Sequence, residues 1–348
     1  MKKIVSVIGA RPQFIKHAPI DLHFKGRCRL VSVHTGQHFD QNMSQVFFDE
    51  LGISPPDYML STGGLSHGKQ TGMMLADIED ILLKENPHLM LVYGDTNSTI
   101  AGALAAAKLH IPVAHIEAGL RSYNREMPEE INRVLTDHVS DILFCPTITA
   151  IDNLKREGIY NNVHKTGDVM ADMLKIAVDK GLLGAKEKGD YIYATIHRPY
   201  NTDEPQRLRK VLDALNRLQH KVIMARHPRT KNIMLQNAFS DSDFYNIQFI
   251  EPVSYFENLR YLFHSKLLIT DSGGMQKEAY MLKKRCITVR KETEWIETLH
   301  DNWNTLVFDN LETMQEVSLL SAQNHQPNLY GNGHAAEEIY DILNKFLS

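Results

Sequence analysis

Cysteine, tryptophan and long apolar runs are scarce in this sequence, and neither sign of charge dominates it. The 348 residues include three cysteines, Cys28, Cys145 and Cys286, which are odd in number and far apart. Such spacing excludes a disulfide framework and a zinc site built on cysteine. The longest apolar runs stay far below the ~20 residues that a membrane-spanning helix needs, so we expect no membrane association.

The charge balance and the lack of metal-ligand clusters exclude further classes of function. The formal net charge of −4 gives no reason to expect a nucleic-acid partner or an anionic membrane surface. No set of His, Cys and carboxylate residues has metal-ligand spacing, and the HExxH pattern is absent, so no metal is expected. Few, unpaired cysteines are typical of proteins of the reducing cytoplasm, where we expect this one.

Short apolar runs alternate with helical patterns along the whole chain, which predicts an α/β fold with parallel sheets. The first run, at residues 4–8, is expected to be a β-strand rather than a signal peptide because it is too short. The alternation restarts at residue 191, and the length by itself favours two domains. We therefore predict two Rossmann-like domains, residues 1–168 and 169–348, with a central cleft, since pockets favour domain interfaces.

Residues 89–133 contain two apolar runs that each end close to a carboxylate. The run at 89–93 leads into Asp95, and the run at 111–116 leads into Glu117. In an open parallel sheet the carboxyl ends of the strands form the ligand-binding edge, so both carboxylates are expected there. Either residue alone could equally cap the next helix. Two carboxylates at successive strand ends favour a catalytic role.

Glu129 and Glu130 follow in a segment that we interpret as a charged loop. Arginines are interspersed with these acids at positions 121, 125 and 133. Carboxylates held among arginines at a sheet edge suit proton transfer on an anionic substrate. The whole stretch therefore predicts acid–base catalysis.

The sharpest binding signal in the second half is the segment DSGGMQKE at residues 271–278, between a buried strand and a helix. Gly273 and Gly274 let the backbone approach a ligand closely. The helix start presents free N–H groups and the positive end of the dipole, which suits a phosphate. Glu278 lies about one turn into the helix and could accept hydrogen bonds from ribose hydroxyls. The alternative is an ordinary tight turn that Ser272 caps.

The corresponding turn of the first half is Gly9-Ala10-Arg11-Pro12, which is followed by Lys16. Arg11 and Lys16 could neutralise a diphosphate, although two such cations are more often solvated surface charges.

Three histidines, His38, His197 and His227, follow strands or mark turns. A single histidine is usually structural. His197, followed by Arg198 directly after a buried strand, is the best candidate for acid–base or phosphate chemistry, and His227 is a weaker one.

Taken in order, several motifs resemble those of the non-hydrolysing UDP-N-acetylglucosamine 2-epimerases. They are GARPQFIK, HTGQH, YGDTNST, HIEAGLRS, PEEINR, the His197-Arg198 pair and DSGGMQKEA. The resemblance spans nearly the whole chain and implies the glycosyltransferase-B architecture, in which a last helix, near residues 335–347, packs back on the first domain. It also implies an isomerase that is cytoplasmic and homodimeric, binds a UDP-N-acetyl sugar, and needs no NAD, metal or other cofactor.

The resemblance further implies a reaction and a set of site residues. Members of the family eliminate UDP across carbons 1 and 2 of the sugar to leave a 2-acetamidoglucal, and then add UDP back with a proton delivered to the other face. The residues matched to catalytic positions are Asp95, Glu117, Glu129, His197 and Lys16. Those matched to substrate or UDP binding are Arg11, Gln37, Arg133, Arg198, His227, Ser272, Gly273, Gly274 and Glu278.

Several positions depart from the common members of that family. Tyr93 stands in place of a His, Tyr200 in place of a Glu, and Trp295 where many members have Arg. The segments HTGQHFD, YGDTNST and TEWIE more closely resemble the branch that acts on UDP-2,3-diacetamido-2,3-dideoxy-glucuronic acid for surface polysaccharide. The same epimerisation on that uronate is therefore an alternative.

Other functions share parts of this pattern. A UDP-sugar glycosyltransferase would have the same fold and the same UDP site. A hydrolysing relative would release free N-acetylmannosamine and UDP, and a nucleotide-sugar sensor would bind without turnover. Three carboxylates at the predicted site favour the epimerase.

Overall fold

The structure is a computed structural model that describes residues 1–37, 48–185, 189–326 and 328–348. The chain forms two compact units. Unit 1 comprises Met1–Ile176 together with Asn328–Ser348, and unit 2 comprises Ala177–Pro327. None of the helices in the described part of the chain combines the length and the apolar character that crossing a bilayer requires.

The described residues of unit 1 form a sheet of seven parallel strands. They are β1 Lys3–Ile8, β2 Arg29–His34, β3 Tyr58–Met59, β4 Leu89–Tyr93, β5 Val113–Ile116, β6 Ile142–Cys145 and β7 Val163–Lys165. The sheet order is β3-β2-β1-β4-β5-β6-β7. The helices are α1 Arg11–Phe24, α2 His67–Glu85, α3 Asn97–Lys108, α4 Pro128–Val139, α5 Ile148–Arg156 and α6 Val169–Asp179, the last of which continues into unit 2.

In unit 2 the part of the chain that the structure describes forms a second sheet, of six parallel strands. They are β8 Tyr191–Thr195, β9 Lys221–Ala225, β10 Ile247–Ile250, β11 Leu267–Thr270, β12 Arg285–Thr288 and β13 Asn304–Leu306, in the order β10-β9-β8-β11-β12-β13. The helices are α7 Pro199–Thr202, α8 Pro205–Asn216, α9 Pro228–Gln236, α10 Tyr255–His264, α11 Gly273–Met281 and α12 Met314–Ser318, with 3-10 segments at Asp241–Asp243, Ile296–Asn302 and Leu311–Thr313.

The sheets form because the central strands are apolar on both faces. Every residue of β4 is buried, which is typical of parallel strands that helices cover on each side. Each fully buried Val, Leu or Ile side chain contributes about 1.5–3 kcal/mol relative to exposure. The predicted parallel α/β sheets are thereby confirmed.

Strand register places the candidate site residues. The strand order reverses at β1, which has β2 on one side and β4 on the other, and ligands bind at such switch points. Tyr93 lies opposite Ile116 in the register of β4 and β5, so Gly94 and Glu117 leave the sheet side by side. In unit 2, Thr195 lies opposite Thr270 at the ends of β8 and β11.

The last helix, α13 Ala335–Phe346, belongs to unit 1. Its Tyr340 ring lies 5.2 Å from the ring of Phe24 in α1. Asp172 of α6 accepts hydrogen bonds from the backbone N–H groups of Ala335 and Ala336 at 3.0 and 2.9 Å. The domain boundary predicted at 168/169 lies at the start of α6.

Several local predictions are wrong. The segment interpreted as a charged loop contains α4, because Pro128 at its first turn and two acidic residues beside the helix dipole favour helix. The apolar run at 286–290 predicts the last strand of the second sheet, but the polar strand β13 pairs beyond β12. The sequence pattern also predicts a helix at 73–85, and the observed helix α2 begins at His67. A further helix is predicted at 41–51, and most of it, like His38, lies outside the described residues.

Candidate active site

A buried ion pair joins the first helix to the fifth strand of unit 1. The Nζ atom of Lys16 in α1 contacts Oε1 of Glu117, which directly follows β5. The two side chains are 9% and 7% exposed, so this pairing compensates two buried charges. Glu117 has a φ of +70°, a left-handed conformation that ordinary residues adopt mainly where the surroundings enforce it.

Gly94 lies against this pair and leads into Asp95. Gly94 has a φ of +62°, and a Cβ atom on it would lie 2.9 Å from Nζ of Lys16 and 3.4 Å from Oε1 of Glu117. Only glycine satisfies both the conformation and the close approach. The turn therefore places the backbone next to Asp95 directly beside the Lys16–Glu117 pair.

Asp95 does not cap the next helix. Thr96 is the N-cap of α3, and its hydroxyl accepts a hydrogen bond from the backbone N–H of Thr99. The Asp95 carboxylate, 26% exposed, is instead paired with Nη2 of Arg133 in α4. The structure thus brings Asp95, Glu117, Lys16 and Arg133 to one edge of the first sheet.

The two adjacent glutamates of helix α4 lie in different environments. Glu130 is buried and accepts hydrogen bonds from the backbone N–H groups of Ser122 and Tyr123 at 2.9 and 2.8 Å, and it pairs with Arg133 at 2.9 Å. Glu130 therefore holds the preceding loop. Glu129, one position earlier in the same turn, is half-buried.

The turn after β1 is fixed by Gln13, which the sequence analysis did not single out. Its Oε1 accepts from the N–H groups of Gly9 and Ala10 at 2.8 and 3.1 Å, and its Nε2 donates to the carbonyl of Tyr93 at 3.0 Å. These bonds connect the turn that carries Arg11, itself half-buried, to the end of β4.

Gln37, after β2, also lies at this edge. Its Oε1 accepts hydrogen bonds from the backbone N–H and the hydroxyl of Ser98, at 3.0 and 2.7 Å. Ser98 is in the first turn of α3, so Gln37 is held against the helix that follows Asp95.

Tyr93, the last residue of β4, belongs to a buried polar group with His17 and Ser6. Its hydroxyl lies 2.9 Å from Nδ1 of His17 and 3.1 Å from Oγ of Ser6. Burial raises the pKa of Tyr93, and burial lowers the pKa of His17 to about 4. Both groups are therefore neutral near pH 7, and their role is to pack and to orient the first turns of α1.

In unit 2, Asp271 organises the His197 turn. The backbone N–H groups of His197 and Arg198 donate to the Asp271 carboxylate at 3.1 and 2.9 Å. Nδ1 of His197 lies 3.3 Å from the same carboxylate, and the ring, 31% exposed, packs on the His227 ring at 5.3 Å. Asp271 thus fixes the orientation of His197, and His227 caps α9 by accepting from the N–H of Arg229.

The N-terminus of α11 lacks a side-chain capping hydrogen bond from the described residues. Ser272 is the N-cap, but its hydroxyl makes no capping bond with the described residues. Gly273 lies against the pair Arg290–Glu294, whose charged atoms are 2.9 Å apart, and a Cβ atom on Gly273 would lie 2.5 Å from Oε1 of Glu294. Gly274 is half-buried, and Glu278 is buried one turn further.

Arg290 is a second residue that sequence analysis missed. It is 4% exposed, and its Nη1 has no hydrogen-bond partner among the described residues. The Cβ position of Gly273 lies 3.7 Å from that atom. A buried guanidinium with a free nitrogen beside a helix N-terminus suits an anionic ligand. The sequence signal for Arg290 as a candidate site residue is its position two residues after strand β12.

Metal ligation has no obvious site in the described segments. No group of three or more His, Cys, Asp and Glu residues among them is placed to hold a metal ion.

Comparison with known proteins gives a consistent result. A sequence model of the family described as UDP-N-acetylglucosamine 2-epimerase matches residues 21–344. The chain is 48% identical to the UDP-2,3-diacetamido-2,3-dideoxy-D-glucuronate 2-epimerase of Pseudomonas aeruginosa, over 99% of each chain. It is also 48% identical to a UDP-N-acetylglucosamine 2-epimerase homolog of Methanococcus maripaludis, over 98% of this chain and 99% of the relative.

A solved structure agrees with these relatives. The UDP-GlcNAc 2-epimerase of Methanocaldococcus jannaschii, crystallised in complex with UDP-GlcNAc and UDP, superimposes with a TM-score of 0.90. It is 41% identical to this chain, and the match covers 99% of each.

Proposed function

This chain belongs to the UDP-N-acetylglucosamine 2-epimerase family, and we propose from that premise that it inverts carbon 2 of a UDP-N-acetyl sugar without hydrolysing it. The family, the isomerase class and the glycosyltransferase-B type of fold predicted from the sequence are confirmed.

The observation that carries the proposal is the group at the edge of the first sheet. Asp95 and Glu117 are each paired with a cation, Arg133 and Lys16. Epimerisation by elimination needs groups that take up and deliver protons, and cations that stabilise developing negative charge. The paired carboxylates supply the first need and the paired cations the second.

We assign the steps as follows. A carboxylate on one face removes the proton from carbon 2 while the bond between carbon 1 and the UDP oxygen breaks, which leaves a 2-acetamidoglucal and UDP. A group on the other face then returns a proton to carbon 2 as the UDP oxygen attacks carbon 1. Asp95, Glu117 and Glu129 are the proposed acid–base groups, with assistance from Lys16 and His197.

UDP binding is assigned chiefly to unit 2. Ser272, Gly273 and Gly274 present the uncapped start of α11 to the diphosphate, and Glu278 accepts from the ribose. Arg290 adds a buried positive charge there. The other proposed contacts to the substrate are Arg11, Gln37, Arg133, Arg198 and His227.

The uronate is the second candidate substrate, since the Pseudomonas aeruginosa relative is named for it. The Methanococcus maripaludis relative, named for UDP-N-acetylglucosamine, is equally similar. The two sugar nucleotides differ at carbon 6, where one has a hydroxymethyl group and the other a carboxylate. Turnover on each, measured side by side, identifies the substrate.

Incubation of each sugar nucleotide in heavy water tests the reaction itself. We expect deuterium at carbon 2 and a mixture of gluco and manno epimers, both still attached to UDP. Free N-acetylmannosamine would indicate a hydrolase instead. Transfer only when an acceptor is added would indicate a glycosyltransferase, and binding without exchange would indicate a sensor.

We also propose that the protein works as a cytoplasmic homodimer, as the family resemblance implies. Light scattering coupled to size-exclusion chromatography should give twice the 39.7 kDa mass of the chain. A monomer mass at working concentrations would contradict this assignment.

A further inference from the structure

His115 lies beneath the candidate active site and has no exposed surface. It is in β5, two residues before Glu117. Its Nε2 lies 2.7 Å from the carbonyl oxygen of Gly94, and its Nδ1 lies 2.7 Å from Oδ1 of Asp137 in α4. Both side chains of the His115–Asp137 pair are 0% exposed.

Both partners of the His115 ring accept hydrogen bonds. A carbonyl oxygen can only accept. Burial raises the pKa of Asp137, but the hydrogen bonds and charges of His115 and Arg121 outweigh burial and hold it below its usual range. Asp137 is therefore a carboxylate, which also only accepts. A hydrogen on each ring nitrogen satisfies both contacts, so the geometry calls for an imidazolium.

The nearby charges favour such an imidazolium. Arg121, 1% exposed, donates to Asp137 and to Glu157, each at 2.6 Å. Glu157 is 26% exposed and also lies 3.8 Å from Nδ1 of His138, so its charge is shared with solvent and with that ring. Asp137 is fully buried between Arg121 and His115, where a negative charge favours a positive charge on each neighbour.

The buried pair connects the two loops that carry the candidate catalytic carboxylates. The Gly94 carbonyl belongs to the peptide that leads into Asp95. The other oxygen of Asp137 accepts from the backbone N–H of Gly119 at 3.1 Å, two residues after Glu117. Helix α4 also carries Arg133, which is paired with Asp95.

We propose that His115 is a positioning residue, an imidazolium held between Asp137 and the Gly94 carbonyl that sets Asp95 and Glu117 relative to each other. This inference rests on the proposed function, in which those two carboxylates transfer protons. His115 itself touches no substrate because it is fully buried.

Two substitutions separate the two bonds of the ring. The amide nitrogen of glutamine reaches the place of Nε2, so His115→Gln keeps a donor for Gly94 and loses the contact with Asp137. The amide nitrogen of asparagine reaches the place of Nδ1, so His115→Asn does the reverse. His164→Gln and His164→Asn on the edge strand β7 are matched controls.

We expect His115→Asn to lower kcat about 10²-fold, the loss typical of a small displacement of a reacting group, with little change in KM or in UDP affinity. His115→Gln should retain clearly more turnover than His115→Asn, and the His164 variants should match the wild type. Turnover of His115→Asn equal to that of the His164 variants, or a loss explained by the folded fraction alone, would overturn the proposal.

Nitrogen NMR of histidine-labelled protein gives an independent readout. We expect the His115 ring of the wild type to show hydrogen on both nitrogens, and Asp137→Asn to remove this signature. A neutral His115 ring in the wild type would overturn the proposal. Failure of the proposed function is distinguishable, because the wild type would then turn over no UDP-sugar while the ring signature remained.

Discussion

Glu117 and Gly94 both adopt left-handed backbone conformations, with φ of +70° and +62°. For a residue with a Cβ atom this conformation costs about 1–2 kcal/mol. The surrounding structure holds Glu117 there, because its N–H and that of Ala118 both donate to the Phe144 carbonyl, at 3.1 and 3.0 Å. Strain that packing enforces is common where a side chain must point at a reacting group.

Replacing either candidate carboxylate by its amide should remove acid–base function without changing shape. We expect Asp95→Asn and Glu117→Gln to lower kcat by about 10²–10⁴-fold while UDP affinity stays close to that of the wild type. Turnover measured by NMR and UDP binding measured by calorimetry check this. Near-normal activity in either variant would refute the assignment of that residue.

A methyl group added at Gly94 should disturb the site as well as the fold. Gly94→Ala and Gly26→Ala impose similar left-handed strain, since Gly26 has a φ of +77°. A Cβ at Gly26 would meet nothing within 4 Å, whereas one at Gly94 would lie 2.9 Å from Nζ of Lys16. Both variants should lose about 1–2 kcal/mol in the free energy of unfolding.

Only Gly94→Ala should lose turnover, because only its methyl group displaces Lys16 from Glu117. Denaturant unfolding and kcat, measured on both variants, separate strain from displacement. Equal activities in the two variants would show that the contact between Gly94 and Lys16 is unimportant.

Among the elements, helix α11 differs from α3 in how its N-terminus is used. Thr96 satisfies the start of α3 with its own hydroxyl, whereas Ser272 makes no such bond with the described residues. Four N–H groups at a helix start need partners from side chains, water or ligands. The start of α11 therefore suits a ligand, and the start of α3 does not.

Gly273→Ala should weaken UDP binding. Its Cβ atom would lie 2.5 Å from Oε1 of Glu294, so the pair Arg290–Glu294 would have to move. Gly68→Ala, in the first turn of α2 with nothing within 4 Å of its Cβ, is the control. We expect at least a tenfold rise in the UDP dissociation constant for Gly273→Ala, about 1.4 kcal/mol. Calorimetry showing equal affinities in both variants would contradict a diphosphate site at α11.

The helical periodicity of α4 is visible in its charged residues. Glu130, Arg133 and Asp137 recur at helical spacing, and all three are buried. They contact the loop at Ser122, the carboxylate of Asp95 and the ring of His115. The density of charge suggested a loop, but charges at positions i, i+3 and i+7 share one face of a helix.

At the scale of the whole molecule, Asp172 attaches the last helix to unit 1. It is 6% exposed, and burial raises its pKa from 3.8 to about 6, although two backbone N–H groups of α13 oppose the shift. A folded-state pKa above the unfolded value means that the folded protein binds this proton more tightly. The associated stability is complete below pH 3.8 and is lost as pH rises through about 6.

Asp172→Asn should remove this pH dependence. Between pH 4 and pH 7 the stability of the wild type should fall relative to Asp172→Asn by up to about 3 kcal/mol, at 1.36 kcal/mol per pKa unit. Urea unfolding at several pH values measures the difference. Asp179→Asn, at an exposed position of the same helix, should follow the wild type. A constant difference between the wild type and Asp172→Asn across this range would contradict the raised pKa.

Much of the fold follows from local pattern. Strands β4, β6, β9 and β11 coincide with apolar runs of the sequence, because buried parallel strands are continuous hydrophobic segments. The elements that apolar runs do not predict are polar or very short. Strands β3 and β13 have two and three residues, and pairing with a neighbouring strand rather than composition stabilises them.

The sequence by itself determined the family, the two α/β halves and the candidate residues at the strand ends, because motif order and hydrophobic alternation are local properties of the chain. Only the tertiary structure decided which charges compensate one another. Lys16 and Glu117 are 101 positions apart in the sequence, and Arg133 and Asp95 are 38 positions apart. The proposed roles of His115 and Arg290 arise from burial beside groups that only the folded sheets bring together.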